Sequence, residues 1–286
     1  MEREGIMKKT VICSLAAVVL WGLFMSSTTS AQILSSGSKG AKILLPEGSE
    51  LFQISPASST IKKEGFLIRS YWEDCPVMVW GNNVLTIKDE VVSIFDLPIT
   101  IPITDIAFLG GDCVFASGYE IYRCTESGKV IKLLSADAPV TRVLPDNKGI
   151  LYSTGKSIVY CDYATKTGHI LYTSREGVIL AENFDGEIFF ACGKDFFLIS
   201  GNEIIRLYSD KQKIRAMSVH PEGTIFYSTD KGTFMLTSDY RRLSISKRKA
   251  TAINVLDDDL YLTFSDGYCA MISRASGYKN NLPKAK

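Results

Sequence analysis

The sequence predicts an all-β protein built from repeated antiparallel hairpins. Short runs rich in Ile, Val, Phe and Tyr are separated by turns rich in Gly, Asp, Asn and Ser, a pattern typical of strands and hairpins. The apolar run before each turn recurs at nearly constant spacing. No stretch after the N-terminal segment shows an apolar stripe at helical spacing, which argues against a helical or α/β domain.

The repeat is about 37 residues long. The runs before the turns begin at Pro76, Cys113, Ile150, Ile188, Ile225 and Leu260, in steps of 37, 37, 38, 37 and 35 residues. One further apolar run precedes each of these runs and two follow it, so a unit contains four short strands. A four-stranded antiparallel unit with this period is the signature of a β-propeller blade. The sequence therefore predicts a β-propeller of six four-stranded blades.

Inner and outer strands of a blade are expected to differ in pattern. Neighbouring blades cover both faces of the inner strands, which explains continuous apolar runs such as "IFFAC" and "IFYST". Outer strands contact water, so "EIIRLYS" and "RRLSIS" are expected to alternate between buried and exposed residues. The predicted hairpin turns include Asp230-Lys231-Gly232 and the pair Gly118 and Tyr119.

The N-terminus has the three parts of a secretory signal peptide. Lys8 and Lys9 precede an apolar run at residues 11–25, and small residues lead to a cleavage site after Ala31. We expect residues 1–31 to be removed on export, giving a periplasmic or secreted protein of the bacterial envelope. An uncleaved signal anchor is the alternative. Residues 32–40 are predicted to be a flexible leader.

The last repeat lacks a convincing fourth strand, because "GYKNNLPKAK" is polar. We expect residues 41–286 to form a single propeller domain, in which an N-terminal strand from "AKILL" or "ELFQIS" covers the exposed edge. A seventh, incomplete blade at residues 41–64 is the alternative.

Charge argues against nucleic acid as a partner. Removal of residues 1–31 leaves 29 basic and 29 acidic residues, a balance that attracts neither phosphate backbones nor anionic lipid. We therefore expect no nucleic-acid binding and no membrane insertion after signal cleavage.

Six cysteines follow the signal segment: Cys75, Cys113, Cys124, Cys161, Cys192 and Cys269. If Gly118 and Tyr119 form a turn, Cys113 and Cys124 face each other across a hairpin. Two small core hydrophobes are the simpler interpretation, and a disulfide is the alternative.

Several segments resemble known propeller repeats. "IVYCDYATKTGHILYT" resembles the Asp-x-x-Thr-Gly turn of quinoprotein-type repeats, through Asp162, Thr167 and Gly168, with one extra residue and no closing Trp. "MSVHPEGTIFYST" resembles the strand entry of NHL-like and gluconolactonase-like six-bladed propellers, and "STDKGTF" resembles a degenerate Asp-box. No specific family is indicated. A WD40 protein is disfavoured, because no blade ends in Trp-Asp.

Motifs for catalysis are missing from the sequence. It contains no Gly-x-Ser-x-Gly elbow, phosphate loop or paired-Cys zinc spacing, and His169 and His220 are far apart. We therefore assign no catalytic residue and no metal ligand, and we expect no cofactor. Calcium is the alternative, because the run from Asp257 to Asp259 offers oxygen ligands, although a polar turn accounts for it better.

The candidate binding residues lie at or near the start of the innermost strands, where loops meet a central channel: Arg69, Tyr71, Asp105, Arg142, Glu182, Asn183 and Asn254. Resemblance to lactonase-type propellers implies an oxygen-ligated cation there, with Asp105, Glu182, Asn183 and Asn254 as the oxygen donors. The sequence favours a protein- or glycan-binding or scaffolding module over an enzyme. The alternative is a metal-dependent lactonase or esterase acting at the channel mouth.

Overall fold

The structure is a computed structural model of the 286-residue chain. It describes residues 102–110, 112–125, 129–184, 186–256 and 259–265, and chiefly the backbone of eight further strands between residues 33 and 95 and at 268–272. The regular secondary structure of these residues is β-strand throughout. None of them belongs to a helix whose length and apolar character suit a bilayer crossing. The predicted signal segment lies outside the described residues.

The described strands form one two-stranded and six four-stranded sheets. The N-terminal strands are β1 (Ile33–Leu34), β2 (Ile43–Leu44) and β3 (Ser49–Gln53). Sheet 1 contains β4 (Leu67–Trp72), β5 (Cys75–Trp80), β6 (Asn83–Lys88) and β7 (Val91–Phe95). Sheet 2 contains β8 (Asp105–Leu109), β9 (Asp112–Ser117), β10 (Glu120–Cys124) and β11 (Val130–Ser135). Sheet 3 contains β12 (Val140–Pro145), β13 (Gly149–Thr154), β14 (Ser157–Asp162) and β15 (Gly168–Thr173).

The remaining sheets repeat this plan. Sheet 4 contains β16 (Val178–Phe184), β17 (Glu187–Cys192), β18 (Asp195–Ser200) and β19 (Glu203–Ser209). Sheet 5 contains β20 (Ala216–Val219), β21 (Ile225–Thr229), β22 (Gly232–Leu236) and β23 (Arg242–Ser246). Sheet 6 contains β24 (Ala250–Leu256), β25 (Asp259–Phe264) and β26 (Tyr268–Ile272), and its fourth strand is β3. β3 pairs antiparallel with β26, from Ser49 opposite Ile272 to Gln53 opposite Tyr268.

The four-stranded antiparallel repeat predicted from the sequence is confirmed. The turn at Gly118 and Tyr119 is also confirmed, because Ser117 pairs with Glu120 on either side of it. In sheet 5 the turn is one residue shorter than predicted. Thr229 pairs with Gly232, so Asp230 and Lys231 alone form the turn and Gly232 begins β22.

The chain divides into two compact units. The first contains residues 1–15 and 66–183, and the second contains residues 16–65 and 184–286. Sheets 1, 2 and 3 therefore belong to the first unit and sheets 5 and 6 to the second. The boundary falls within β16, the first strand of sheet 4.

Within each unit, neighbouring sheets share their apolar cores. Val77 of sheet 1 and Phe115 of sheet 2 belong to one buried cluster, whereas residues on the opposite side of sheet 2 pack against sheet 3. In the second unit, Phe226 of sheet 5 packs in one cluster with Leu262 of sheet 6. Every residue of β13, β21 and β22 is buried. This confirms the continuous burial predicted for inner strands such as "IFYST".

The fourth strands of sheets 2 to 5 share a β-bulge. In each ladder between the third and fourth strands the register shifts by one residue at the same place. The residue skipped by the pairing is always a large aliphatic one: Leu133, Leu171, Leu207 or Ile245. Leu133 and Ile245 contribute to the clusters between sheets. A bulge bends its strand, and here the bulged residues are partly or fully buried.

The first residue of β22 can only be glycine without strain. Gly232 has a φ of 139°, and an added Cβ would overlap the Ser246 carbonyl oxygen and lie 3.3 Å from the Lys247 Cα. We expect Gly232→Ala to lower the free energy of unfolding by at least about 2 kcal/mol, through backbone strain and overlap with the neighbouring strand. Urea unfolding followed by circular dichroism measures this loss.

The matched control is Gly155→Ala. Gly155 also lies in a hairpin turn, but an added Cβ there meets no atom within 4 Å. Equal unfolding midpoints for the two variants would contradict the close approach at Gly232.

Candidate functional site

The predicted site residues lie on first strands of their sheets. Arg69 and Tyr71 are in β4, Asp105 begins β8, Arg142 is in β12, Glu182 and Asn183 are in β16, and Asn254 is in β24. For Arg69 and Tyr71 the structure describes the backbone alone, and Asp257 and Asp258 lie outside the described residues. Asn254 is buried in the second unit. Among the described side chains, three of the predicted residues are linked by ion pairs.

These three residues are Asp105, Arg142 and Glu182, which form a charged triad in the first unit. The Arg142 Nη1 lies 3.5 Å from Asp105 Oδ1, and its Nη2 lies 3.4 Å from Glu182 Oε1. The Asp105 side chain is 0% exposed and that of Arg142 is 9% exposed, whereas the Glu182 side chain is 18% exposed. Glu182 is therefore the most accessible member, and the guanidinium lies between two carboxylates.

Backbone contacts hold the triad on three successive first strands. Asp105 Oδ2 accepts a hydrogen bond of 2.7 Å from the backbone N–H of Val143 in β12. The Arg142 Nη2 donates to the carbonyl oxygen of Ala181 in β16, at 3.3 Å. Asp105 and Arg142 therefore each bind both an opposite charge and the backbone of the next sheet. Such bonds satisfy charges that would otherwise be costly to bury.

The repeat explains why these residues meet. Thr104 and Thr141, which precede Asp105 and Arg142, both donate a side-chain hydroxyl to the carbonyl of the second strand, at 3.3 and 3.2 Å. Asp105 and Arg142 are therefore equivalent positions on neighbouring sheets. Glu182 lies two residues beyond the equivalent position in β16, which keeps it on the same face of the strand. Asn183 follows it and points to the opposite face.

A second link between first strands occurs in the other unit. Ser218 Oγ of β20 accepts a hydrogen bond of 3.0 Å from the backbone N–H of Val255 in β24. This contact is of the same kind as the one between Asp105 and Val143. The sequence prediction did not include Ser218, although its place two residues after the start of β20 could have indicated it. Polar side chains on first strands thus join neighbouring sheets.

The triad has limited capacity for a cation. A divalent ion at Glu182 would meet the positive guanidinium of Arg142, which is already 3.4 Å from the carboxylate. Among the described residues, no group of three or more His, Cys, Asp and Glu side chains is placed to hold a metal. Arg142 pairs with both carboxylates, so its guanidinium offsets one of their two negative charges.

A different surface lies on the edge strand β19. Its first four residues, Glu203, Ile204, Ile205 and Arg206, are all exposed, so the predicted alternation along this strand was wrong. Ile204 is 48% exposed and Ile205 is 41% exposed. β19 pairs with β18 on one side, and no other described strand pairs with its outer side. Successive side chains point to opposite faces of a strand, so both faces of β19 contact water at its start. The two consecutive isoleucines in "EIIRLYS" were the signal that sequence reasoning overlooked.

Loss of the triad's central cation should destabilise the first unit. We expect Arg142→Met to lower the free energy of unfolding by about 3 to 5 kcal/mol, because two carboxylates lose their partner in a buried setting. Arg215→Met is the control, since Arg215 pairs with Asp230 while both side chains are about half exposed. Chemical unfolding curves should shift strongly for the first variant and little for the second. An unfolding curve for Arg142→Met that shifts as little as that of Arg215→Met would mean that the triad adds no stability.

No protein-family model and no curated protein sequence matches this chain. Solved structures do. A gluconolactonase from Xanthomonas campestris has a TM-score of 0.61 at 13% identity, covering 79% of this chain and 90% of that chain. The extracellular domain of BT4673 from B. thetaiotaomicron has a TM-score of 0.60 at 12% identity, covering 84% of this chain and 39% of that one.

The WD40 β-propeller domain of Doa1 is also similar, with a TM-score of 0.58 at 13% identity, covering 82% of this chain and 88% of that chain. At such identities the likeness concerns the fold alone, because one fold serves many functions. The structural neighbours of this chain are β-propeller proteins, and its fold is that of the β-propellers.

Proposed function

We propose that this chain is an exported, six-bladed β-propeller of a bacterial envelope that acts as a binding or scaffolding module, with a protein as the preferred ligand and a glycan as the alternative. Six four-stranded sheets among the described residues support the blade number. The pairing of β3 with β26 supports closure by an N-terminal strand and leaves less chain for a seventh blade. The composition of residues 1–31 supports export.

The exposed edge of β19 carries the proposal. Ile204 and Ile205 lie side by side on a strand that pairs on one edge, and the ladder to β18 is regular from Glu203 to Arg206. An extended segment of a partner protein can add to such an edge through backbone hydrogen bonds, while its side chains cover the isoleucines. Aliphatic side chains favour a protein ligand over a glycan, because they offer no polar groups for sugar hydroxyls.

The flanking charges give this surface some selectivity. Glu203 and Arg206 are exposed at the two ends of the isoleucine pair. A partner strand with a basic residue opposite Glu203 and an acidic residue opposite Arg206 would gain from both pairs. We therefore expect the bound segment to be apolar in its centre with opposite charges at its ends.

The partner is sought by crosslinking in the envelope. A photoreactive amino acid at position 204 should give a discrete adduct, whereas the same residue at position 119 should not, although Tyr119 is 53% exposed. Against the purified partner, Ile204→Glu with Ile205→Glu should weaken binding at least about tenfold, from lost apolar contact. Tyr119→Glu should leave the affinity unchanged. Equal adducts at both positions, or unchanged affinity in the double variant, would contradict a role for β19.

A metal-dependent lactonase or esterase is the second candidate. The observation in its favour is the carboxylate of Glu182, which is the most exposed group of the triad. The observation against it is the guanidinium of Arg142, which competes with any cation for that carboxylate. The positive charge of Arg142 beside Glu182 therefore favours the binding function over a metal-dependent hydrolase.

Turnover assays separate the two candidates. We expect the purified protein to hydrolyse neither lactones nor aryl esters when Ca²⁺ or Zn²⁺ is supplied, because the Arg142 guanidinium would repel a cation at Glu182. Metal-dependent turnover that disappears in Glu182→Ala, while Glu203→Ala remains active, would favour the hydrolase instead.

A further inference from the structure

Two cysteines face each other in the hairpin of β9 and β10. Cys113 pairs directly with Cys124, as the two-residue turn at Gly118 and Tyr119 predicts. Directly opposed residues of an antiparallel pair have Cα atoms about 4.5 to 5.5 Å apart, which lies within the span of a disulfide. Both residues are free thiols in the structure, and the Cys124 Sγ lies 3.7 Å from the carbonyl oxygen of Thr125.

The corresponding position in other sheets is apolar. Five residues before the turn, the opposed pairs are Ile150 with Cys161, Ile188 with Ile199, Ile225 with Leu236, and Leu260 with Ile272. Packing at this position therefore needs two apolar side chains and requires no cysteine. Among sheets 2 to 6, sheet 2 alone has cysteine on both strands at this position. Core packing does not explain why both residues are cysteine.

We propose that Cys113 and Cys124 form a reversible intramolecular disulfide by exchange with a small-molecule disulfide. The site is a redox modification site and does not depend on the proposed binding function. Cys113 is buried in the apolar cluster between sheets 1 and 2, whereas Cys124 at the end of β10 is half-buried. External reagents therefore reach Cys124 first.

The environment of the pair also separates the two thiols. The hydrogen bond from Cys113 lowers the pKa of Cys124 to about 7, against the opposing effects of burial and the Asp112 carboxylate. The same hydrogen bond, together with burial, raises the pKa of Cys113 far above its usual range. Asp112 is paired with Arg123, and β8 and β11 contribute apolar Phe108 and Val130 to this cluster. Cys124 is therefore the thiolate that attacks, and Cys113 is the thiol that resolves.

The exchange proceeds in two balanced steps. The Cys124 thiolate attacks one sulfur of the external disulfide, expels the other sulfur as a thiolate and forms a mixed disulfide. Cys113 then loses its proton to the departed thiolate and attacks the Cys124 sulfur, expelling the second external thiolate. Because Cys124 first gives its proton to solvent and the last expelled thiolate takes one up, the dithiol loses two electrons and two protons overall, and the external disulfide becomes two thiols.

Cys161 is a matched control within the same chain. It occupies the position equivalent to Cys124 on the third strand of sheet 3, but it faces Ile150. It is buried, and burial raises the pKa of its thiol. It therefore shares the strand position of Cys124 but has no cysteine opposite.

The experiment exposes the folded protein to oxidised glutathione, traps free thiols by alkylation and maps peptides by mass spectrometry. We expect the peptides of Cys113 and Cys124 to be joined with the loss of two hydrogens, and dithiothreitol to restore both thiols. Before oxidation, alkylation of Cys124 at pH 7 should be at least about tenfold faster than that of Cys161. Cys113→Ser should stop at the mixed disulfide on Cys124, whereas Cys124→Ser should form neither product.

Other outcomes overturn the proposal. Free Cys113 and Cys124 after oxidation of the wild-type protein would do so, as would linkage of either residue to a different cysteine. Equal alkylation rates for Cys124 and Cys161 would refute the order of attack. These readouts on the wild-type chain remain decisive even if a serine variant fails to fold.

Discussion

The arrangement within each unit depends on apolar side chains that neighbouring sheets pack against one another. Second strands such as β13 and β21 are buried along their whole length, so their sequences are continuous apolar runs. The same cover leaves polar residues of the first strands without water. Asp105 and Ser218 therefore accept backbone N–H groups of the adjacent sheet, and Arg142 pairs with the buried carboxylate of Asp105. Packing thus determines which polar groups remain available for ligands.

Much of the fold was predictable because the residue numbers of a hairpin turn determine which residues of its two strands pair. A two-residue turn determines every pair in the hairpin, and constant spacing places the same pairs in each sheet. The positions of Cys113 and Cys124 followed from this rule. Exposure along β19 did not follow, because alternation assumes that one face of the strand is covered, whereas both faces are exposed in its first four residues. The bulge near the end of β19, which shifts the register of its pairing with β18, left no clear signal in the sequence.

The candidate site was less predictable than the fold. Asp105 and Arg142 are separated by one repeat, and this spacing indicated that they are neighbours. Glu182 reaches the same guanidinium from a position two residues further along its strand. That offset depends on how neighbouring sheets are staggered, which a single sequence does not record. The chemistry of the site was harder to predict than its position. Asp105 and Glu182 suggest a cation site from their sequence, but in the structure both carboxylates pair with Arg142.

The repeated bulge has a consequence for self-association. Leu207 interrupts the ladder of β19 after Arg206, so only four residues of that edge keep regular strand geometry. Copies of the chain that met edge to edge would find no long straight ladder to extend, because twisted edges pair poorly with one another. A short strand of a partner can pair with the four regular residues. A longer intermolecular ladder would meet the bulge at Leu207. We therefore expect the four bulges to disfavour pairing between the outer edges of two copies.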